Sequence, residues 1–486
     1  MRVQLYPLFM KGAIAAGHPL TAAAGARVLE AGGSAVDACV AAGVTSWVVE
    51  SMLTGPGGGG FMLVHEADAG RTALLDFFVS VPREAAAGSL LELAVDFDGD
   101  TQQLFRTGAA AVAVPGTAVG LWEAHARWGR LDWAALVTPA ARLARDGFEL
   151  TSMQGYLHQI LDGLLRHSPE GDAMYGVDGR AYRWGEQFAL PELGATLERY
   201  AERGAPVFYG GELAERIVSH VRDGGGAVTL ADLESYELIE REPVSVAYRG
   251  CEFRSNPPPS SGGVLIALGL QVLGDEEPTP SRYARAMDTQ EAVRDAQFAR
   301  ALYDENAALQ VLKGTTAISV VDGEGNAASL SSSLGSGSGV VVPGTGIHLN
   351  NMLGELDLMG ASQPGERLTS MMAPSLVLVD GRPRLVLGSA GSARLRGAIL
   401  QVVGNVVGGM PVEAAVGAPR VHAEAGVVHC EDAATAAALE AEGRPVVRWR
   451  ERNLYFGGVS AVEVRPGGEL AAAGDPRRGG AGVVVE

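Results

Sequence analysis

The chain has 486 residues, 47% of them apolar and 20% charged, with 66 glycines and a formal net charge of −19. Such a composition describes a globular chain with ample material for a core and excludes a disordered or collagen-like one. The acidic balance argues against a nucleic-acid partner, because phosphate binding needs clustered Lys and Arg.

The opening "MRVQLYPLFMKGAIAAG" lacks the apolar core of a secretory signal. No uncharged apolar run reaches the roughly 18 residues that mark a spanning helix. A cytoplasmic enzyme with no membrane attachment is the expectation. Three cysteines, Cys39, Cys251 and Cys430, are far apart and odd in number, so they imply no disulfide framework. Residues 20–54 read as two helices. The first stops at Gly32-Gly33, and the second restarts with Ser34 and Asp37 spaced as a capping box. "GPGGGGFMLV" follows, glycines leading into a strand, and "ALLDFFVSVP" reads as another strand. Residues 117–210 are mainly helical. "TLADLESYELIEREPVSVAYRGCEFRSNPPPSSGGVLIALGLQVLG" predicts a helix, two strands, a proline-rich loop and a helix, with a further helix over 283–304. After Gly314, strands and glycine turns dominate to about residue 390, and "ARLRGAILQVVGNVVGG" restores a helix. Long helices mixed with many strands predict a layered α/β (α+β) architecture. Nothing marks two independent domains.

Three strings imitate known motifs. Gly55, Gly57 and Gly60 fit G-x-G-x-x-G, but a dinucleotide loop follows a strand and opens a helix, the reverse of the order here. Those glycines more simply let backbone pass close to a neighbour. "GSGSG" at 335–339 fits G-x-S-x-G, yet it follows a hairpin instead of forming a strand-to-helix elbow. His429 and Cys430 are adjacent, which is not metal-ligand spacing.

"TTAISVVDGEGNAASLSSS" is a hairpin, and Glu324-Gly325 suits its turn. Pairing then sums to about 649 in residue number, which sets Ser333 and Leu334 opposite Thr316 and Thr315, within one register step. A threonine hydroxyl is a weak nucleophile until a base takes its proton. A free α-amino group, with a pKa near 8, is such a base close to working pH. An N-terminal threonine therefore carries nucleophile and base together. Thr315 reaches that state only if the bond after Gly314 is cut, and Gly314 offers no side chain to hinder attack on its carbonyl. Ser333 is placed to hydrogen-bond the Thr315 oxygen. "LVLGSAGS" is a strand and glycine loop running into a helix, where N–H groups gather and suit an oxyanion.

In order along the chain, "LEAGGSAVDACVAAG", "GPGGGGFMLV", "AVPGTAVGLWEAHARWG", "PAARLARDGFEL", "NPPPSSGG", "TTAISVVDGEGNA", "GIHLNN" and "APSLVLVDGRPRLVLGSAGS" resemble the gamma-glutamyltransferase family of N-terminal nucleophile hydrolases. The resemblance implies a four-layer αββα sandwich and one self-inflicted cut between Gly314 and Thr315. It implies a heterodimer from one precursor, with residues 1–314 as the large-subunit region and 315–486 as the small-subunit region. Thr315 matches the nucleophile and Ser333 a helper hydroxyl. Gly391 and Ser392 match the glycine pair whose N–H groups form the oxyanion hole. Thr369 and Ser370 fall where the family has two serines for the substrate α-carboxylate, and Glu355, with Asp357 nearby, where it has an acid for the substrate ammonium. Two positions depart. Phe78 stands where the family has a carboxylate-clamping arginine, and Met352 where it has an amide or acid. The loop between "LNNMLGELD" and "RLTSMMAP" is also shorter than the family lid.

The expectation is an enzyme that cleaves γ-glutamyl amide bonds through a Thr315 acyl-enzyme, passing the acyl group to water or an amine. Phe78 and Met352 motivate an alternative, the same chemistry on another small-molecule amide. A non-catalytic relative is a third possibility, opposed by the retained hydroxyls and glycine loop. This chemistry requires no metal or organic cofactor.

Overall fold

In the computed structural model, the described residues are 10–97, 101–294, 298, 302, 315–355, 362–391 and 394–486. Two antiparallel sheets carry the architecture. Their strands are β1 (Gly12–Ala16), β2 (Gly59–Glu66), β3 (Arg71–Phe77), β4 (Ile239–Arg241), β5 (Val244–Tyr248), β6 (Cys251–Ser255), β7 (Thr316–Asp322) and β8 (Ala327–Ser333), then β9 (Ser375–Val379), β10 (Arg382–Ala390), β11 (Gly458–Val464), β12 (Leu470–Gly474) and β13 (Ala481–Val485). The first sheet runs β4-β3-β2-β8-β7-β1-β13 and the second β5-β6-β9-β10-β11-β12. The edge strand β4 is one more than the two strands expected after residue 230.

Three apolar clusters occupy the three spaces between four layers. Helices α1 (Pro19–Glu30) and α2 (Ala35–Val49) cover the first sheet, where Val40, Val44 and Trp47 pack with Ile14, Ile318 and Leu330. The second cluster joins α3 (Gly262–Leu273), α4 (Pro280–Ala292) and α5 (Arg394–Val407) to the outer face of the second sheet through Leu265, Met287, Ile399, Leu387 and Val459. Between the sheets lie Phe61, Leu63, Val321, Leu376, Val386 and Val462. This is the expected αββα sandwich. Helix α2 is buried on every side because neighbours surround it, and its start is the expected capping box: Ser34 accepts from the Asp37 N–H, and Asp37 accepts from the Ser34 N–H. Strands β7 and β8 are buried along their whole length, so the hairpin lies at the centre of the sandwich. Hydroxyls tie it to the second sheet: Ser319 donates to the Ser460 carbonyl and Ser329 to that of Leu387, each at 3.0 Å.

The hairpin register differs from expectation by one step. Thr316 pairs with Ser332, a sum of 648. The loop has three residues, Gly323-Glu324-Gly325, because the Asp322 N–H bonds to the Asn326 carbonyl. Gly325 takes φ +85°, and the Asp322 carboxylate accepts from the N–H groups of Glu324 and Asn326. That side-chain cap and left-handed glycine fit a three-residue turn.

Candidate active site

Thr315 immediately precedes β7 and is 1% exposed. Its Oγ1 is enclosed and has no hydrogen-bond partner. Strand alternation aims position 315 the same way as Ala317 and Ser319, toward the second sheet. Continuing the observed register one step sets Ser333 opposite Thr315, so the one-step correction brings the two predicted hydroxyls into line. Ser333 is fully buried, and its Oγ accepts from the Gly335 N–H at 2.7 Å.

On its other side Ser333 pairs with Gly59 of β2. A Cβ on Gly59 would lie 2.6 Å from the Val79 nitrogen, and one on Gly58 2.2 Å from the Ser333 carbonyl oxygen. The "GPGGGG" stretch is therefore a place where backbones pass at contact distance, as expected, and only hydrogen fits. It places Phe78 and Val79 one strand away from Ser333.

Gly391 follows β10 with φ +121°, and a Cβ there would sit 2.4 Å from the Gly457 Cα, so this turn admits only glycine. Ser392 and Gly314 lie outside the described residues, as does Asp357. The segment 367–372 runs beside 79–80: the Leu368 N–H donates to the Val79 carbonyl, and Ser80 bridges to Arg367. Thr369 and Ser370 are buried. The Ser370 carbonyl accepts from the Ser261 N–H at 2.8 Å at the start of α3, and its Oγ accepts from the Met372 N–H at 3.1 Å. Glu355 is 4% exposed, with Oε1 3.1 Å from the position a Gly335 Cβ would take. It thus neighbours the loop that bonds Ser333.

Phe78 is 1% exposed and stacks on Phe61 at 5.4 Å between centroids. Met352, Leu368 and Met372 belong to the same apolar cluster. The two departing positions therefore belong to one apolar cluster between the sheets. The backbone around Phe78 is fixed by Asp76, which accepts its N–H, and by the Tyr236 hydroxyl, which donates to its carbonyl at 2.6 Å.

Two groups escaped sequence reasoning. Asn350 is fully buried and joins three segments. It donates to the carbonyls of Gly57 and Ala113 and accepts from the N–H groups of Ala113 and Met352. Glu50, at the end of α2, is 7% exposed and accepts the hydroxyls of Thr21 and Thr316, each at 3.2 Å. Burial pushes its carboxyl up to about 7, against the pull of those two hydroxyls and of Arg478. No local pattern marks either residue, because their partners lie far along the chain.

A nucleophile candidate at the head of a central strand, inside a four-layer sandwich, is the arrangement of an N-terminal nucleophile hydrolase. Comparison with known proteins gives the family. The Gamma-glutamyltranspeptidase model matches residues 21–293 and 276–485. The glutathione hydrolase proenzyme of Pseudomonas aeruginosa is 32% identical over 540 residues, covering 98% of this chain and 95% of that protein. The acylase ACY 1 proenzyme of Pseudomonas sp. (strain SE83) is 33% identical over 530 residues, covering 98% and 94%. Among solved structures, cephalosporin acylase from Bacillus halodurans superimposes with a TM-score of 0.85 at 26% identity, covering 99% of this chain and 97% of that one. The chain belongs to the gamma-glutamyltranspeptidase family.

Proposed function

We propose that this chain is a precursor that cuts itself between Gly314 and Thr315 and then breaks γ-glutamyl amide bonds through an acyl group on Thr315. The observation that carries the reading is the buried, unpartnered Thr315 hydroxyl at the head of β7, one register step beyond the Thr316–Ser332 pair. The mature enzyme would be a heterodimer of residues 1–314 and 315–486.

On this reading the steps run as follows. In the cut form the Thr315 α-amine takes the proton of its own hydroxyl, and the oxygen attacks the amide carbon of the substrate. The N–H groups of Gly391 and Ser392 are the donors assigned to the charge that develops on the carbonyl oxygen. The amine returns the proton to the leaving nitrogen. Water or an amine then attacks the ester, and Thr315 is restored. Ser333 holds the nucleophile's orientation. Glu355, Thr369 and Ser370 supply the polar groups for an amino-acid head group.

A second reading is acylase chemistry on an amide that is not γ-glutamyl. Phe78 stacked on Phe61, with Met352 in the same apolar cluster, favours it, since neither side chain offers a charge to a carboxylate. The acylase relatives are consistent with it. The test is a panel of p-nitroanilides, one γ-glutamyl and several simple acyl, assayed with the wild type and with Thr315→Ala. Release from the γ-glutamyl compound, lost in T315A, supports the first reading. Release only from acyl compounds supports the second. Turnover by T315A contradicts both.

A further inference from the structure

The cut that frees Thr315 poses a chemical problem. In the uncut chain the Thr315 nitrogen is an amide, so it is no base. Some other group must take the hydroxyl proton.

Beside Thr315 lies a cavity of about 20 Å³, lined by Glu50, Thr315, Thr316, His18, Asp475 and Arg478 among others. This is room for about one water, which needs two to four polar partners. Three enclosed polar atoms on those lining residues have no hydrogen-bond partner, His18 Nε2, Thr315 Oγ1 and Arg478 Nε. The Glu50 carboxylate is held at the cavity by Thr316 and Thr21, and its Oε1 lies 2.8 Å from where a Gly17 Cβ would be. We propose that Glu50 is the proton acceptor for self-cleavage, taking the Thr315 hydroxyl proton through a single water in the cavity they share. This inference rests on the reading that the chain cuts itself.

The step balances as follows. The proton passes from Thr315 Oγ1 to the water, and a water proton passes to Glu50. The oxygen attacks the Gly314 carbonyl carbon, and the carbon–nitrogen bond breaks. The proton returns from Glu50 through the water to the Thr315 nitrogen, leaving an ester and a free amine. A second water hydrolyses the ester to the Gly314 carboxylate and the Thr315 hydroxyl. Glu50 ends as it began.

The groups around Glu50 suit the task. His18, at the start of α1, is kept neutral because burial lowers its pKa to about 4. Asp475 is engaged by Arg420 at 2.5 Å and Arg477 at 3.2 Å. Arg478 is the remaining cation, and it favours the charged form of Glu50. Burial opposes it and prevails, so the carboxyl titrates close to neutral pH, where an efficient base is needed.

The test follows the splitting of full-length chains made by cell-free synthesis, on denaturing gels, from roughly pH 5.5 to 9. Wild type, Glu50→Gln and Glu50→Asp are compared, with folding checked by near-ultraviolet circular dichroism. The wild-type rate rises through about pH 7 and levels off. E50Q is slower by at least about tenfold and loses that rise, and E50D regains part of the rate. Should E50Q not fold, E50D decides, since a retained rise with pH supports the proposal and its loss overturns it. E50Q cleaving at the wild-type rate with the same pH dependence overturns it, as does folded E50D no faster than folded E50Q. If the wild type never splits, the reading underneath fails and takes this inference with it. Normal wild-type splitting beside an unaffected E50Q removes this inference alone.

Discussion

Thr316 donates its hydroxyl to Glu50 Oε1 at 3.2 Å, while the Oγ1 of the preceding Thr315 has no hydrogen-bond partner. Strand alternation separates the two neighbours. Thr316 faces the α2 end of the helical layer, and Thr315 faces the second sheet. One threonine is committed to structure, and the other is left free for chemistry.

That division predicts unequal mutants. Thr315→Ala gives a folded chain that never splits, whereas Thr315→Ser keeps a hydroxyl and splits. Thr316→Val loses one hydrogen bond, at a cost of about 1 kcal/mol, and still splits. Intact-mass spectrometry of the purified chains reads all three.

Ser333 accepts from the Gly335 N–H in a fully buried place. Ser333→Ala leaves that N–H unpaired, costing about 1–3 kcal/mol. Turnover falls by roughly tenfold to a hundredfold, the usual size for one positioned polar group. Ser333→Thr restores the oxygen and most of the rate. Steady-state kinetics on cleaved enzyme separates this from a purely structural loss, which Ser333→Thr would not reverse.

Asn350→Ala strips partners from Gly57, Ala113 and Met352 at once. The expected destabilisation is about 2–4 kcal/mol, larger than for a typical surface change. Denaturant unfolding of the T315A background measures it on a single uncut chain. A change below about 0.5 kcal/mol would contradict the joining role.

Glu50 makes stability depend on pH. Its carboxyl sits at about 7 in the folded chain against an ordinary 4.5, so folding takes up a proton. The contribution is fully present below about pH 4.5 and is lost as pH rises through 7. The shift corresponds to something on the order of 3 kcal/mol. Glu50→Gln cannot charge, so relative to wild type it gains stability between about pH 5 and pH 8. Unfolding free energies at both values check this, and a difference independent of pH refutes it.

Much of this site could be read from residues close in sequence. The Ser34–Asp37 capping box and the hairpin depend on neighbours a few positions apart, and the loop at Gly391 shows in its glycine and small-residue composition. The hairpin register falls one step from the central value, within the expected range, because the Asp322 carboxylate caps a three-residue loop where glycine composition alone suggests two. Glu50 and Asn350 were not legible, since Thr316 lies far along the chain from Glu50, as Gly57 and Ala113 do from Asn350, and a lone Glu or Asn carries no pattern. Phe78 and Met352 each stood out, but only the fold shows that they belong to one apolar cluster.

The central claim is that Thr315 becomes a chain terminus. N-terminal sequencing of the bands from a denaturing gel tests it most directly. The account predicts two bands, the smaller beginning Thr315-Thr316-Ala317. A single persistent band, or a new terminus at any other residue, would contradict it.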